Sequence, residues 1–321
     1  MSKLCLTTLV AAVTLAATPA MAIDILVTQY KADPSGAPYG VALAKGFFKK
    51  AGIDITGVIS GAGGGTSVRN AIASDLGYGE VSPAPVITAI QQGQDIRIVN
   101  VGSRRLDLSL IVMPNSPIKT IADLKGKKFG ISNPRSLGEM MGVLVLEKAG
   151  LKSEDMPRVA LGSLGGALTA LEKGAVDATA IPSILLRTRG ASKYRVVIGP
   201  KDMPRIPPAI GIATTAMMKK NAAGLRALIA GRREAVKFMY ANPDETIKIL
   251  SKVYEPLPPA DVASLVKELL AAQYWSEGEM EMELLTNTVR AMRYVGLIEK
   301  EPNLSAMIDL SFLPADLQKK K

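Results

Sequence analysis

Tyr39-Gly40-Val41-Ala42-Leu43-Ala44-Lys45-Gly46-Phe47-Phe48-Lys49-Lys50-Ala51-Gly52-Ile53-Asp54-Ile55-Thr56-Gly57-Val58-Ile59 is the stretch that decides the fold. Residues 39–48 read as a helix closing near Gly46 and Gly52, and residues 53–59 as the strand that follows. Just upstream, Ile-Asp-Ile-Leu-Val-Thr at 23–28 reads as a short buried strand, so strand, helix and strand succeed one another. The alternation continues with a helix over 66–73, a strand near 77–81, a helix over 85–92 and a strand at 96–102. This is βαβ patterning, and it predicts a mostly parallel sheet covered by helices.

A second run repeats the plan from about residue 109. An apolar segment at 108–113 is followed by Thr120-Ile121-Ala122-Asp123, which fits a capping box opening a short helix that Gly126 stops. Strands are expected at 127–132, 158–161 and 176–181, with helices over 136–150 and 165–173. The two runs echo each other locally: Gly61 to Gly65, then Asn70-Ala71-Ile72-Ala73-Ser74, a strand and Ser82-Pro83 in the first; Gly162 to Gly166, then Thr169-Ala170-Leu171-Glu172-Lys173, a strand and Pro182-Ser183 in the second. That echo suggests two lobes built to one plan. From Thr214 onward the texture is helical: Leu225, Leu228, Ile229, Val236 and Met239 keep a 3.6-residue period, Asn242-Pro243-Asp244-Glu245 is a helix start, and Leu284, Leu285, Thr288, Val289, Met292 and Val295 form another stripe. These stripes are read as core, with the chain ending by packing helices back on one lobe.

Composition excludes several chemistries. The 321 residues include no His and one Cys, so a Ser-His-Asp or Cys-His centre, a His-ligated metal and a His-based pH switch are ruled out. Residues 1–22 carry Lys3, an apolar run from Leu9 to Ala17, Pro19 and then Ala20-Met21-Ala22, the layout of a secretory signal cleaved after Ala22. The apolar run is too short to cross ~30 Å of hydrocarbon. Cys5 lies far upstream of that cut, so lipoprotein processing is not expected, and the mature periplasmic chain from Ile23 has no thiol and no disulfide. With 39 Lys and Arg against 29 Asp and Glu the net charge is +10, a field that favours small anions. Export and the lack of a basic stripe interleaved with aromatics argue against nucleic acid.

Two turns carry the candidate chemistry. Gly61-Ala62-Gly63-Gly64-Gly65-Thr66-Ser67 feeds a helix start, whose free N–H groups and dipole suit an anion or a carbonyl, with the Thr66 and Ser67 hydroxyls as further donors. It lacks the Gly-Lys-Ser/Thr of a Walker loop and the spacing of a dinucleotide fingerprint; the plainer alternative is a tight turn with an N-cap. Asn133-Pro134-Arg135-Ser136-Leu137-Gly138 repeats the idea, adding the Arg135 guanidinium, whose alternative is a solvated turn. Arg104 and Arg105 lie where the chain would cross between lobes; one is a candidate for the cleft and the other for pairing with Asp107. Tyr30 and Tyr39 are either stacking and hydroxyl contacts or packing. Glu80, beside Ser82-Pro83, either meets a ligand or pairs with a neighbouring Arg or Lys.

The opening stretch resembles the Ala-Lys-x-x-Gly-Phe-Phe-x-x-x-Gly-Ile-x-Val segment of the periplasmic solute-binding proteins for nitrate, sulfonate, taurine and thiamine-precursor importers, in a form two residues shorter. Ser116-Pro117-Ile118-Lys119-Thr120-Ile121-Ala122-Asp123-Leu124-Lys125-Gly126-Lys127-Lys128-Phe129-Gly130-Ile131 is similar to that family's second-lobe opening, and Ala167-Leu168-Thr169-Ala170-Leu171-Glu172-Lys173-Gly174-Ala175-Val176-Asp177-Ala178 to its Ala-Leu-x-x-Gly-x-Val-Asp-Ala segment. The resemblance implies an α/β, two-lobed periplasmic binding protein type II fold, each lobe a mixed sheet flanked by helices, with a helical C-terminus. Residues 23–105 and 213–321 would form lobe 1 and residues 106–212 lobe 2. It implies ligand contacts at Gln29 and Tyr30, at Gly64, Gly65, Thr66 and Ser67, at Ser82 and Pro83, at Arg135, Ser136, Leu137 and Gly138, and at Pro182 and Ser183. The chain departs from the pattern at residues 31–38, which border the cleft mouth, and at Asp75-Leu76-Gly77. The implied function is solute capture for an ABC importer, a small organic anion (sulfonate, nitrate-like or carboxylate) being delivered by a monomer to a membrane permease and its ATPase. No cofactor, metal or catalytic residue is expected. The alternatives are a sensory or partner-docking receptor, and an enzyme like the family's pyrimidine-synthase relatives, which rely on His and Cys residues that this chain lacks.

Overall fold

The structure, a computed structural model, describes residues 23–134, 136–203 and 205–319, so the expected signal at 1–22 and Arg135 lie outside the described residues. The first four strands are β1 (Ile23–Thr28), β2 (Ile55–Gly61), β3 (Tyr78–Val81) and β4 (Ile96–Val101). The chain then crosses to a second sheet made of β5 (Leu108–Val112), β6 (Phe129–Ile131), β7 (Arg158–Ala160), β8 (Ala178–Pro182) and β9 (Arg195–Ile198). It returns as β10 (Ile210–Thr214), which lies wholly in the first sheet and runs across the expected lobe boundary at 212/213.

The two five-stranded sheets share one plan, β2-β1-β3-β10-β4 and β7-β6-β8-β5-β9. In each, three strands pair in parallel, and the fourth place is filled by an antiparallel strand that has just crossed from the other sheet. Both sheets are therefore mixed. Helices cover both faces, and the inner strands β3, β5 and β8 are buried along their whole length, in keeping with apolar runs such as Leu-Ser-Leu-Ile-Val. The local echo seen in the sequence is structural: β2, helix Gly64–Ala73 and β3 in one half match β7, helix Leu164–Glu172 and β8 in the other.

Most expected elements are present with shifted ends. The helix expected over 39–48 is two, Ala37–Lys45 and Phe47–Ala51, because Gly46 takes a left-handed φ of 66° and ends the first. The capping signal at 120–123 opens only a 3-10 turn, Ala122–Leu124, with the Asp123 carboxylate accepting from the N–H groups of Lys119 and Thr120 at 2.9 and 2.8 Å. Strands β9 and β10 carry no expectation from the sequence.

The C-terminal third is helical. Helix Ala222–Ala241 buries Leu225, Leu228, Ile229, Val236 and Met239 against helices Ala37–Lys45 and Phe47–Ala51. Helix Met282–Tyr294 corrects the expectation that the chain ends on one lobe: it packs on helix Pro83–Gln91 beside the first sheet and on helix Leu137–Lys148 beside the second. Its Leu284, Leu285, Val289 and Met292 share one apolar cluster with Ile87 and Ile98 of the first half and Phe129 and Met140 of the second. Among the described residues, no helix is long and apolar enough to cross a membrane.

Candidate functional site

The C-terminal ends of the parallel strands of both sheets face a common cleft, the place where open α/β sheets bind ligands. From the first half come Thr28 and Gln29 at the end of β1, Asp33 and Ser35 in the loop after it, Gly63 and Gly64 after β2, and Ser82 after β3. Ser132, Ser136, Leu137, Gly138 and Leu164 face them from the second half, with Leu108 and Pro208 on the crossing chains. The space between the halves is about 30 Å³, and a Cβ on Gly64 would lie in ordinary contact, 3.7 Å, with the Pro134 carbonyl oxygen across it. That space holds roughly two waters, so the cleft is closed and a larger solute requires it to open.

Four helix starts line this cleft, and each presents backbone N–H groups without partners inside its helix. Helix Gly64–Ala73 has Gly63 at its N-cap with no side-chain cap; left-handed φ values of 97° at Gly63 and 57° at Gly64 make the turn from β2. In helix Leu137–Lys148 the Ser136 hydroxyl accepts from the Glu139 N–H at 3.3 Å, which leaves the Leu137 and Gly138 N–H groups to the cleft. Ser163 caps helix Leu164–Glu172 in the same way, accepting from Gly166 at 2.9 Å. The fourth start, helix Pro83–Gln91, is poorer in donors, because Pro83 and Pro85 have no N–H; the Ser82 hydroxyl makes no cap bond there.

Two side chains stand out. The Thr28 hydroxyl is buried and has no hydrogen-bond partner among the described residues. Asp33 is buried at the cleft wall, where its Oδ1 accepts from the Ser35 N–H at 2.8 Å and from the Tyr274 hydroxyl at 3.5 Å. Burial pushes the Asp33 carboxyl above its ordinary value, with the charge of Glu80 acting in the same direction. Asp107, on the first crossing, accepts from the Ser183 hydroxyl at 2.6 Å and the Ser183 N–H at 3.2 Å. Its carboxyl is pushed up to about 6, first by burial and then by Asp33, against the Ser183 bonds and Arg187.

Of the residues singled out in the sequence, Gln29, Gly64, Ser82, Ser136, Leu137 and Gly138 line the cleft together. Arg135 lies outside the described residues, and the remaining described ones are placed as follows. Ser67 is spent within its own turn, accepting from the Gly63 N–H at 2.9 Å, and Thr66 accepts from Arg69 at 3.0 Å. Gly65 neighbours Arg69, and Pro83 borders a small void of about 10 Å³ below the cleft, shared with Met140 and Thr288. Tyr30 borders an outer groove with Lys31 and Lys252. Pro182 ends β8, and Ser183 is held by Asp107.

Arg104 is turned away from the cleft: its guanidinium pairs with Glu279 and Glu281 and donates to the Trp275 carbonyl at 2.9 Å. Asp107 meets Ser183 rather than Arg105. Glu80 resolves to the pairing alternative. It lies in the core of the first half with Arg232 Nε at 2.8 Å and the Tyr39 hydroxyl donating at 2.6 Å, so Tyr39 is packing as well. Sequence reasoning missed Thr28, Asp33, Ser35, Ser132 and Leu164. Thr28 and Ser132 were findable as residues at the ends of parallel strands, whereas Asp33 and Ser35 lie in the segment where the chain leaves the family pattern.

Comparison with known proteins agrees with this fold. A match of 218 residues at 28% identity covers 66% of this chain and 66% of the length of a Brucella abortus protein named only for binding, so the chain spans just under two thirds of that relative. Riboflavin-binding protein RibY of Chloroflexus aurantiacus is 25% identical over 294 residues, 87% of this chain and 82% of that one. Among solved structures, the alkanesulfonate-binding protein SsuA of Xanthomonas axonopodis pv. citri, bound to MOPS, superposes with a TM-score of 0.73 at 18% identity, covering 91% of this chain and 99% of that one. The periplasmic aliphatic sulphonate binding protein SsuA of Escherichia coli gives 0.66 at 23%, covering 89% and 91%. At these identities the likeness shows the fold, that of periplasmic binding proteins. Because the family model described as NMT1/THI5 like matches residues 33–246, the chain belongs to the NMT1/THI5-like family.

Proposed function

We propose that the chain is the solute receptor of an ABC importer, capturing a small organic solute with an anionic group in the cleft and handing it to a membrane permease with its ATPase. The observation that carries this reading is the convergence of helix starts from both halves on one closed cleft. An anionic group there is met by N–H donors and positive dipole ends from two sides, so it favours the closed form over the open one, as a closing ligand must. The relatives named for sulfonates support the anionic class, and Arg135, beside the Ser136 helix start, would add a guanidinium to it. In this reading residues 23–105 with 213–321 and residues 106–212 act as the two lobes, except that residues 210–212 go with the first as part of β10; the segment before Ile23 is removed on export to the periplasm, and the receptor works as a monomer.

A thermal-shift screen of residues 23–321 against sulfonates, nitrate and carboxylates tests it. A ligand at about 100 times its dissociation constant adds ~2.7 kcal/mol, a shift of several degrees. No shift with any anion, or turnover of a bound solute, overturns the reading. Arg135→Ala is expected to weaken the anion found by ~1.5–3 kcal/mol, and unchanged affinity by calorimetry removes Arg135 from the site.

A further inference from the structure

We propose that helix Met282–Tyr294 is a latch for the cleft: fixed to the first half, it grips the far end of helix Leu137–Lys148 of the second and so holds the halves together from outside the solute site. The proposal rests on the cleft being the solute site and adds a contact, remote from the solute, that sets how tightly the solute is held.

Both ends of this helix are sewn into the first half. Before it, the chain runs against the end of β4 and the first crossing: the Val101 N–H donates to the Gly278 carbonyl at 3.3 Å, the Ser276 N–H to the Gly102 carbonyl at 3.2 Å, and Arg104 Nε to Glu281 at 3.1 Å. After it, Ile308 bridges Ile98 on β4, an edge strand, and the Asp309 N–H donates to the Ile98 carbonyl at 2.9 Å. The second crossing is tied to the start of the helix as well. Arg205 donates to Glu281 and Glu283 at 2.7 and 2.9 Å, and its carbonyl accepts from Asn287 at 2.9 Å. The start of the helix therefore sits where the chain crosses between the halves, the region that is displaced least when two lobes part about their connections.

The grip on the second half lies toward the other end. Arg290 donates to Glu147 at 3.0 Å, and the Tyr294 hydroxyl donates to the Leu151 carbonyl. Positions four apart share one helix face, so a single face makes both contacts. Beside them Val289 and Met292 belong to the same apolar cluster as Met140 and Leu144. Glu147 and Leu151 lie at the C-terminal end of helix Leu137–Lys148, whose first residues, Leu137 and Gly138, line the cleft. The 12 residues of that helix span roughly 18 Å, so the grip acts far from the solute but on an element that holds it. The polar contact is narrow: an open groove of about 340 Å³, lined by Glu147, Val289, Arg290 and Tyr294, runs beside it. A helix anchored to one half cannot keep its grip on the other while the halves part, so the grip belongs to the closed form. Affinity then depends on the fraction of molecules already closed, because the apparent dissociation constant is the intrinsic one divided by that fraction.

The test breaks the grip by charge and restores it by charge. Arg290→Glu sets two carboxylates against each other at an exposed position, and adding Glu147→Arg to the same chain rebuilds the pair in reverse; neither residue lines the cleft. The chain from Ile23 has no cysteine, so Lys49→Cys in the first half and Lys173→Cys in the second, both exposed, carry spin labels for pulsed distance measurement. Without added solute, Arg290→Glu is expected to move population to a second label distance, and the double variant to return it. In calorimetric titration with ethanesulfonate, Arg290→Glu should bind about threefold or more weakly, with recovery in the double variant and a loss in the same direction for Tyr294→Phe. Label distances that Arg290→Glu leaves unchanged overturn the latch, and so does an affinity that stays the same, tightens, or falls without recovery in the double variant. Shifted and restored distances in a protein that does not bind ethanesulfonate support the latch and count against the anion reading of the cleft.

Discussion

Arg232 and Glu80 are 1% and 0% exposed, and their mutual bond is one part of a closed network. Arg232 also donates to the carbonyls of Gly102 and Ser276, at 2.5 and 2.8 Å, tying the end of β4 to the segment before helix Met282–Tyr294. Removing one member strands the other as an uncompensated buried charge. Arg232→Met is therefore expected to cost ~3–5 kcal/mol, read as a lower denaturation midpoint at unchanged slope, while replacing the pair together with apolar residues should cost much less. A mild single-variant effect would mean that the pair is hydrated. The sequence placed Glu80 near a site because its partner is 152 residues away, a pairing that only the fold creates. Asp107 shows the reverse case of a short-range guess failing: Arg105 is two residues off, yet the carboxylate turns to Ser183. With its carboxyl raised from 3.8 to about 6, the folded state holds a proton between those pH values that the unfolded state has lost. This contribution is fully present below about pH 4 and is lost as pH rises through about 6, a change on the order of 3 kcal/mol. Asp107→Asn should flatten that part of the profile of melting temperature against pH; an unchanged slope would assign it elsewhere.

At the scale of elements, the helix starts separate two roles that look alike in sequence. Ser136 spends its hydroxyl on the Glu139 N–H, so Ser136→Ala is expected to lose the cap, about 1 kcal/mol of stability. Thr28 spends its hydroxyl on nothing in the described protein, so Thr28→Val should leave the fold as stable or more so and weaken solute binding by ~0.5–1.5 kcal/mol. Parallel stability and affinity measurements on the two variants check the contrast, and a Thr28 variant that loses stability without losing affinity would remove it from the site. Glycine-rich turns were legible because Gly63 and Gly64 need left-handed backbone there. The third loop was not, because Asp33 and Ser35 occupy a segment without a repeating pattern. Strands β9 and β10 were missed for another reason: Arg195–Ile198 and Ile210–Thr214 fall after the last repeat of the strand–helix alternation that marked shorter strands such as β6 and β7, and what makes them strands is pairing with β5 and with β3 and β4.

For the whole molecule, the alternation of strands and helices revealed two sheets, but the stripe on helix Met282–Tyr294 did not reveal how they are joined. A 3.6-residue period shows that a face is buried and not against what. In the structure that face meets helices of both halves, so the apolar cluster it completes runs from one sheet to the other. Arg290 adds a bridge to Glu147 at 3.0 Å on the exposed side. Two halves linked only by crossing chains would melt separately, as larger chains commonly do; a shared core couples them. The ligand-free protein should accordingly unfold in one calorimetric transition, with its measured enthalpy equal to the van't Hoff value. Leu285→Ala, which empties a fully buried position on the shared face, should lower stability by ~2–5 kcal/mol and broaden or split that transition, because the loss falls on the contact that makes the halves cooperate. A variant that melts lower in a single undiminished transition would show that the crossing chains alone carry the coupling. Two transitions already in the unaltered protein would show that the helix belongs energetically to one half.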